Sequence, residues 1–125
     1  MRPQILLLFV GLLPLACNND LALAPPGDLQ GTWAAEFNLP GASLVLDITQ
    51  VDPTVAGRGT YAIEAGRAGT LHLSGSYTPP TISLTIERDY GFRETYTGTV
   101  IDSHHMRGAI ADSTGRAYPL TFTRR

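Results

Sequence analysis

Arg88 and Glu94 are the two side chains of this 125-residue chain with the clearest capacity to hold a ligand. Each is in phase with apolar neighbours that alternate along the chain, on either side of the turn Asp89-Tyr90-Gly91. An inward-pointing arginine and carboxylate can orient the polar end of an amphipathic molecule. They can equally form an ion pair at a rim, which contributes little when exposed. Both interpretations predict that the two side chains lie close together.

Other residues with chemical potential lack the partners that their chemistry requires. Asp102, His104 and His105 lie near one turn, but the chain supplies no fourth ligand at a spacing typical of a structural metal site. The serines occur without a nucleophile elbow or a triad context, so we predict no enzyme, catalytic residue, metal or cofactor. The net charge of −2, without a long charged run, argues against a nucleic-acid partner.

The N-terminus predicts export. A short positive start precedes an apolar run at residues 5–16, which is too short to span a bilayer and is typical of a signal peptide. Pro14-Leu15-Ala16-Cys17 resembles the lipobox of bacterial lipoproteins, although Pro14 stands where an aliphatic residue is expected. The resemblance implies removal of residues 1–16 and lipidation of Cys17, and Asn18 implies the periplasmic face of the outer membrane. The alternative is a soluble secreted protein with a free thiol.

The rest of the chain divides into a tether and one domain. Residues 17–28 contain two prolines and a glycine and predict a flexible tether, and residues 29–125 predict the folded domain. From Leu29 onward apolar and polar residues alternate at period two, which indicates strands. We predict eight of them, at residues 32–38, 43–51, 55–64, 70–78, 81–88, 92–101, 104–111 and 116–125.

A repeated pattern of glycine, small residue and large apolar residue indicates how the strands close. It begins at Gly31-Thr32-Trp33 and returns at Gly59, Gly75, Gly98 and Gly108, and each glycine shares a face with the large residue. The predicted connections have hairpin length, which excludes the crossovers of a parallel sheet. The pattern therefore predicts an all-β fold, an eight-stranded antiparallel up-and-down barrel, with a two-layer sandwich as the structural alternative.

Two features resemble the lipocalins and the wider calycin group. Those barrels begin with Gly-x-Trp, as Gly31-Thr32-Trp33 does, and pack an arginine of the last strand across the tryptophan, for which Arg124 has the right phase. The resemblance implies a lipocalin-like barrel whose closed end contains Gly31, Trp33 and Arg124. This chain is shorter than a typical lipocalin and has no disulfide. Its start also resembles avidins, but Ala34 and Ala35 replace their polar ligand-binding group, so biotin binding is not implied.

Alternating strand directions place the longer, glycine-rich loops at the end opposite the N-terminus, which we predict to be the mouth. An eight-stranded interior either is filled by side chains or holds one small ligand. The many large inward residues favour filling, with any pocket shallow and near the mouth. The residues predicted to contact a ligand are Phe37, Ile63, Leu71, Ile86, Arg88, Glu94, Tyr96 and Tyr118.

Two functions are consistent with these expectations. The first is a lipid-anchored periplasmic module that binds a small apolar or amphipathic molecule at the barrel mouth. The second is a filled barrel that recognises another envelope protein, as an accessory to a complex or as an inhibitor of a periplasmic enzyme. The presence of a cavity of ligand size would favour the first.

Overall fold

The computed structural model describes residues 26–36, 41–63 and 66–125. Cys17, the predicted signal peptide at residues 1–16 and Phe37 lie outside these residues. Within the described part of the chain, no helix has the length and apolar character needed to cross a membrane. The strands in chain order are β1 (Gly31–Ala35), β2 (Ser43–Val51), β3 (Thr54–Ile63), β4 (Arg67–Thr78), β5 (Thr81–Arg88), β6 (Arg93–Asp102), β7 (His105–Asp112) and β8 (Ala117–Arg124).

The eight strands form a closed antiparallel barrel. Each strand pairs with the next, and β8 returns to pair with β1. The closing register places Trp33 opposite Arg124 and Ala35 opposite Phe122. Closure removes the sheet edges that a sandwich leaves open. The predicted eight-stranded barrel is therefore confirmed, and the two-layer sandwich is excluded.

Strand boundaries follow the period-two alternation closely. β2 and β5 span the residues predicted for them, and most other strand ends differ from the prediction by one residue. The larger difference within the described residues is at β4, which begins at Arg67 instead of Thr70. Gly69 already pairs with Tyr61 of β3. The predicted loop at residues 65–69 was too long, because small residues there carry no apolar alternation by which a strand could be recognised.

Inward-facing glycines let neighbouring strands approach more closely than a side chain permits. A Cβ atom on Gly59 would lie 2.0 Å from the carbonyl oxygen of Val45 on β2. Gly98 and Gly108 face each other across β6 and β7, and a Cβ atom on Gly108 would lie 2.6 Å from the Cα atom of Gly98. The glycine pattern therefore marks where the strands of this narrow barrel come closest.

Side chains fill the barrel interior. Tyr96 and Phe122 meet edge to face with ring centroids 5.0 Å apart, and the Tyr96 hydroxyl donates a 3.0 Å hydrogen bond to the Leu120 carbonyl oxygen. Burial raises the pKa of Tyr96 far above its usual value. Burying a large apolar side chain stabilises a fold by about 1.5 to 3 kcal/mol. The largest fully buried side chains are Trp33, Tyr77, Tyr96, Phe122, Leu29, Leu46, Ile48, Leu71, Ile82, Leu84, Ile86 and Met106.

Arg124 lies across Trp33 at the closed end of the barrel. Its guanidinium carbon is 5.1 Å from the tryptophan ring centroid. The guanidinium also donates hydrogen bonds to the carbonyl oxygens of Gln30, at 2.6 Å, and Ser103, at 3.0 Å. Gly31 lies against the same group, since a Cβ atom there would be 3.4 Å from Arg124 Nε. One side chain thus joins the segment before β1, the turn after β6 and the end of β8.

The segment that precedes β1 also packs on this end. Leu29 is fully buried, and its N–H donates a 2.8 Å hydrogen bond to Gln50 Oε1. Its carbonyl oxygen accepts a 2.9 Å hydrogen bond from Trp33 Nε1. The Tyr77 hydroxyl donates a 2.5 Å hydrogen bond to the carbonyl oxygen of Pro26. The last three residues of the predicted tether are therefore bound to the barrel, which their proline and glycine content does not indicate.

Candidate functional site

At the end opposite Leu29, the turn between β5 and β6 brings polar and aromatic side chains together. The Arg88 N–H donates a 2.8 Å hydrogen bond to the Phe92 carbonyl oxygen, and the Gly91 N–H donates one of 2.9 Å to the Arg88 carbonyl oxygen. Gly91 has a φ of 88°, which glycine adopts without strain. We call the six side chains that meet here the mouth cluster: Tyr61, Arg88, Asp89, Tyr90, Phe92 and Glu94.

Arg88 and Glu94 form an ion pair within the mouth cluster. Arg88 Nη2 lies 2.8 Å and Nε 2.9 Å from the same oxygen, Glu94 Oε1. The two side chains are only 12% and 11% exposed. Arg88 on β5 and Glu94 on β6, which lies opposite Ile86 in the register, thus place opposite charges together. Solvent screens this pair less than it screens pairs on the outer wall of the barrel. By contrast, the ion pair of Arg93 and Glu87 on that wall is 66% and 51% exposed.

Aromatic rings surround the Arg88 guanidinium. Its central carbon is 4.7 Å from the centroid of the Tyr61 ring and 5.6 Å from that of Phe92. Tyr90 stacks on Phe92 at 5.9 Å and meets Tyr61 edge to face at 6.0 Å. Aromatic faces attract cations through their quadrupole, so these rings stabilise the guanidinium in addition to Glu94. Tyr90 is 53% exposed and presents an aromatic surface to solvent.

Asp89 fastens the turn to the neighbouring strands. Its carboxylate accepts a 2.8 Å hydrogen bond from the Tyr61 hydroxyl and one of 3.2 Å from the Thr70 N–H. Its own N–H donates a 2.9 Å hydrogen bond to the Thr70 carbonyl oxygen. The hydrogen bond from Tyr61 lowers the pKa of Asp89, and burial followed by the Asp89 hydrogen bond raises the pKa of Tyr61. Both shifts favour the neutral phenol and the ionised carboxylate that this contact needs.

Gly69 provides the space in which Asp89 and Tyr61 meet. A Cβ atom at this position of β4 would lie 2.5 Å from Asp89 Oδ2 and 2.7 Å from the Tyr61 hydroxyl oxygen. A residue of any other type would therefore separate the carboxylate from the phenol or displace the turn. The arrangement of the mouth cluster thus requires glycine at position 69.

The structure divides the predicted ligand-contacting residues into interior and rim. Leu71, Ile86 and Tyr96 are packed in the interior, each at most 1% exposed. Ile63 is half-buried at the end of β3, and Tyr118 is 51% exposed on β8. Inward phase alone does not separate these two environments, because it does not measure distance from the end of the barrel.

Residues of the turn and of β4 complete the site, although the sequence pattern indicated no role for them. Asp89 and Tyr90 were assigned to a turn, and Gly69 to a loop. One sequence feature could have indicated the site: two aromatic residues, Tyr90 and Phe92, flank Gly91, whereas tight solvent-exposed turns are usually formed by small and polar residues. The contact of Asp89 with Tyr61 joins residues 28 positions apart and has no local signal.

Three concavities formed by the described residues lie outside the barrel interior. Two of them overlap on the outer face of β3, with volumes of about 460 and 320 Å³, and both are lined by Asp47, Arg58 and His72. The third, of about 260 Å³, lies at the closed end beside Pro53 and Tyr77. None of these three concavities includes a residue of the mouth cluster.

The polar residues of the turn after β6 form hydrogen bonds with one another. The Asp102 carboxylate accepts a 2.8 Å hydrogen bond from the His104 N–H and lies 2.9 Å from His105 Nδ1. These contacts, the His104 N–H foremost, lower the pKa of Asp102. The Ser103 hydroxyl contacts the His104 imidazole, whereas the Asp102 carboxylate contacts the His105 imidazole. The three groups therefore do not form a Ser-His-Asp hydrogen-bond chain of the catalytic type. Among the described residues, no three His, Cys, Asp or Glu side chains are placed to hold a metal ion.

Comparison with known proteins identifies the fold. No protein-family profile and no curated protein matches the chain. Among solved structures, it is similar to a redesigned β-barrel, mFAP1, bound to DFHBI, with a TM-score of 0.64, 17% identity, and coverage of 77% of this chain and 94% of that one. It is also similar to a de novo designed fluorescence-activating β-barrel, with a TM-score of 0.63, 20% identity, and coverage of 77% and 93%. At such identities the likeness concerns the fold.

Proposed function

We propose that this protein is a lipid-anchored periplasmic module that binds a small apolar or amphipathic molecule at the mouth of its barrel. The observation that carries the proposal is the mouth cluster, in which the Tyr61 and Phe92 rings lie against the guanidinium of a largely buried ion pair and Tyr90, which packs on both rings, is half exposed. Apolar surface with a few convergent polar groups is typical of small-molecule sites. The similarity to a designed barrel bound to a small compound is consistent with this use of the fold.

The bound molecule lies on the mouth and not in the interior. Leu71, Ile86 and Tyr96 fill the space below the cluster, and removing such side chains from contact costs about 1.5 to 3 kcal/mol each. Tyr90 and Tyr118, each about half exposed, offer aromatic surface at the rim without that cost. The apolar part of the ligand contacts these rings, and its polar part faces Arg88 and Glu94.

The anchor belongs at the opposite end of the molecule. The described chain begins at Pro26, whose carbonyl oxygen is held by Tyr77 at the closed end. A lipid on Cys17 would therefore attach the protein to the membrane from that end and leave the mouth cluster directed away from it. Such an orientation suits a module that takes its ligand from the periplasm.

Titration with a neutral apolar fluorophore, N-phenyl-1-naphthylamine, tests the proposed binding. We expect saturable enhancement of fluorescence, with affinity about fivefold weaker in Tyr90→Ala because a stacking ring is lost. Val51→Ala is the matched control, since Val51 is an exposed apolar residue outside the mouth cluster and should leave the affinity unchanged. The proposal is wrong if neither this neutral fluorophore nor a small amphipathic compound, benzyltrimethylammonium, binds the folded protein saturably.

Recognition of another protein is the second candidate function. The specific observation is a filled interior combined with Tyr90 and Tyr118 exposed on the surface, since exposed aromatic residues are enriched at protein interfaces. A photo-crosslinking residue placed at 90 or 118 should capture one defined envelope protein in cells, whereas the same residue at 51 should not. Equal capture from position 51 would contradict a specific interface at the mouth.

A further inference from the structure

The mouth cluster has the composition of a cation-binding cage. Two aromatic faces, those of Tyr61 and Phe92, lie 4.7 and 5.6 Å from a positive charge, and the Glu94 carboxylate lies 2.8 Å from it. Aromatic faces combined with a carboxylate are the chemistry by which proteins hold organic ammonium and guanidinium groups. In this structure the cation is the chain's own Arg88.

The carboxylate of this cage retains capacity for another cation. Both contacts from Arg88 reach Glu94 Oε1, and among the described residues Oε2 has no hydrogen-bond partner. Asp112 of β7 lies opposite Glu94 in the register, and its carboxylate accepts hydrogen bonds from Thr114 and from the Arg116 N–H. Asp89 adds a third carboxylate near the same turn. Arg116 Nε lies 4.0 Å from Asp112 Oδ2. Once Arg88 is displaced, the three carboxylates share this one arginine, and the excess of negative charge disfavours an anionic ligand.

Arg88 is placed so that it can leave the cage without disturbing the barrel. It is the last residue of β5, and its side chain reaches the mouth, where a long aliphatic stem can turn towards water. A neutral ligand that displaced it would leave Glu94, which is 11% exposed, without a counter-charge, and an unpaired carboxylate in such a site is costly. A ligand that brings its own positive charge avoids that cost.

We infer that the ligand of the mouth is an amphipathic organic cation, whose ammonium or guanidinium group replaces the Arg88 guanidinium against Tyr61, Phe92 and Glu94. Its apolar part lies on the exposed ring of Tyr90. The inference rests on the proposed function and names the chemical class of its ligand. Arg88 then acts as an internal competitor that keeps the cage filled when the ligand is absent.

Two probes of equal shape isolate the role of the charge: benzyltrimethylammonium and its neutral carbon isostere, neopentylbenzene. We expect Arg88→Met, which keeps an apolar stem but removes the internal cation, to bind benzyltrimethylammonium about tenfold more tightly than the wild type. The affinity for neopentylbenzene should change much less. The double variant Arg88→Met, Glu94→Gln should lose the gain, because the cage then has no carboxylate.

Nuclear magnetic resonance locates the binding. The amide signals of Gly91 and Thr70, at the mouth, should move on addition of the cation, whereas that of Gly31, at the closed end, should not. Trp33 emission reports independently that each variant is folded, since this residue is buried far along the barrel at the closed end. If Arg88→Met does not fold, the wild type decides the question: a preference of about threefold or more for the cation over its isostere supports the inference.

The outcomes separate this inference from the proposed function. If folded Arg88→Met binds the cation and neopentylbenzene at the mouth with equal affinity, the cationic ligand is wrong and the proposed function stands. Where that variant does not fold, equal affinity of the wild type for the two probes has the same meaning. Failure of both probes, together with failure of N-phenyl-1-naphthylamine, would overturn both. Benzyltrimethylammonium binding that is unaffected by Glu94→Gln would also contradict the cage.

Discussion

The Tyr61 hydroxyl donates a 2.8 Å hydrogen bond to the Asp89 carboxylate in the space that Gly69 leaves open. Tyr61 is on β3, whereas Asp89 follows β5, so the contact passes over the intervening strand β4. It holds the turn between β5 and β6 across the end of the barrel. The positions of Tyr90, Phe92 and Arg88 follow from that turn, which this contact holds together with the two hydrogen bonds between Asp89 and Thr70.

Substitution of Gly69 should disrupt the mouth without unfolding the barrel. The Cβ atom of Gly69→Ala would lie 2.5 Å from Asp89 Oδ2 and would separate this carboxylate from the Tyr61 hydroxyl, so we expect a loss of stability, smaller than for Gly59→Ala because side-chain ends can rotate away. Urea denaturation measures the loss. Gly27→Ala is the matched control, since no atom lies within 4 Å of a Cβ atom there. Equal stability of the two variants would contradict the role assigned to Gly69.

The Asp89 contact should make stability depend on pH in the acidic range. Hydrogen bonding lowers the pKa of Asp89 below its usual value of 3.8. The ionised carboxylate is therefore preferred by the folded state, so its stabilisation is present above that value and is lost as pH falls through the lower folded-state pKa. We expect the wild type to lose stability more steeply than Asp89→Asn as the pH falls below about 4.

Urea midpoints measured at several pH values check this expectation. The pKa values of Asp102 and Asp112 are also lowered by hydrogen bonds, but both residues are present in the two proteins and cancel in the comparison. Parallel curves for the wild type and Asp89→Asn would show that Asp89 carries no such linkage.

The inward glycines should tolerate substitution least. In Gly59→Ala the new Cβ atom would lie 2.0 Å from the Val45 carbonyl oxygen, and this atom belongs to the backbone and cannot rotate away. We expect a loss of at least about 3 kcal/mol, or failure to fold. Circular dichroism and thermal denaturation measure it, with Gly27→Ala again as the control. A Gly59→Ala protein of unchanged melting temperature would show that the strands can separate there at no cost.

Arg124 should stabilise the closed end through contacts that its neighbour Arg125 does not make. Arg124→Met removes hydrogen bonds to the carbonyl oxygens of Gln30 and Ser103 and the contact with Trp33, and we expect a loss of about 2 kcal/mol and a shift of Trp33 emission. Arg125→Met keeps the backbone hydrogen bond to Thr32 and serves as the control. If both variants melt together, the closed end does not depend on the guanidinium.

Lipidation is tested on Cys17 itself. Expression in a bacterial host with an alkyne-tagged fatty acid should label the protein and place it in the membrane fraction, because we propose that the lipobox-like segment directs lipidation of this cysteine. Cys17→Ser should remove the label and release the protein to the soluble periplasm. Unlabelled wild-type protein in the soluble fraction would instead support a secreted protein with a free thiol.

Alternation along the chain predicted the strands correctly. β2 and β5 have the predicted boundaries, since apolar residues at period two leave little freedom in choosing which face is buried. The same phase placed Arg88 and Glu94 on the inner face, where they form the ion pair of the mouth. Phase did not distinguish Tyr96, deep in the core, from Tyr118 at the rim, because both have the same inward orientation.

The sequence by itself determined the all-β architecture, since hairpin-length connections and period-two alternation admit an antiparallel sheet that closes on itself. The tertiary structure alone decided which residues meet at the ends of the barrel. The Tyr61 hydroxyl donates a hydrogen bond to Asp89, and Trp33 Nε1 donates one to the Leu29 carbonyl oxygen. Strand register and barrel curvature bring these residues together, and the local sequence around each does not indicate its partner. Periodicity reports the face of a strand, whereas a site depends on which strands end side by side.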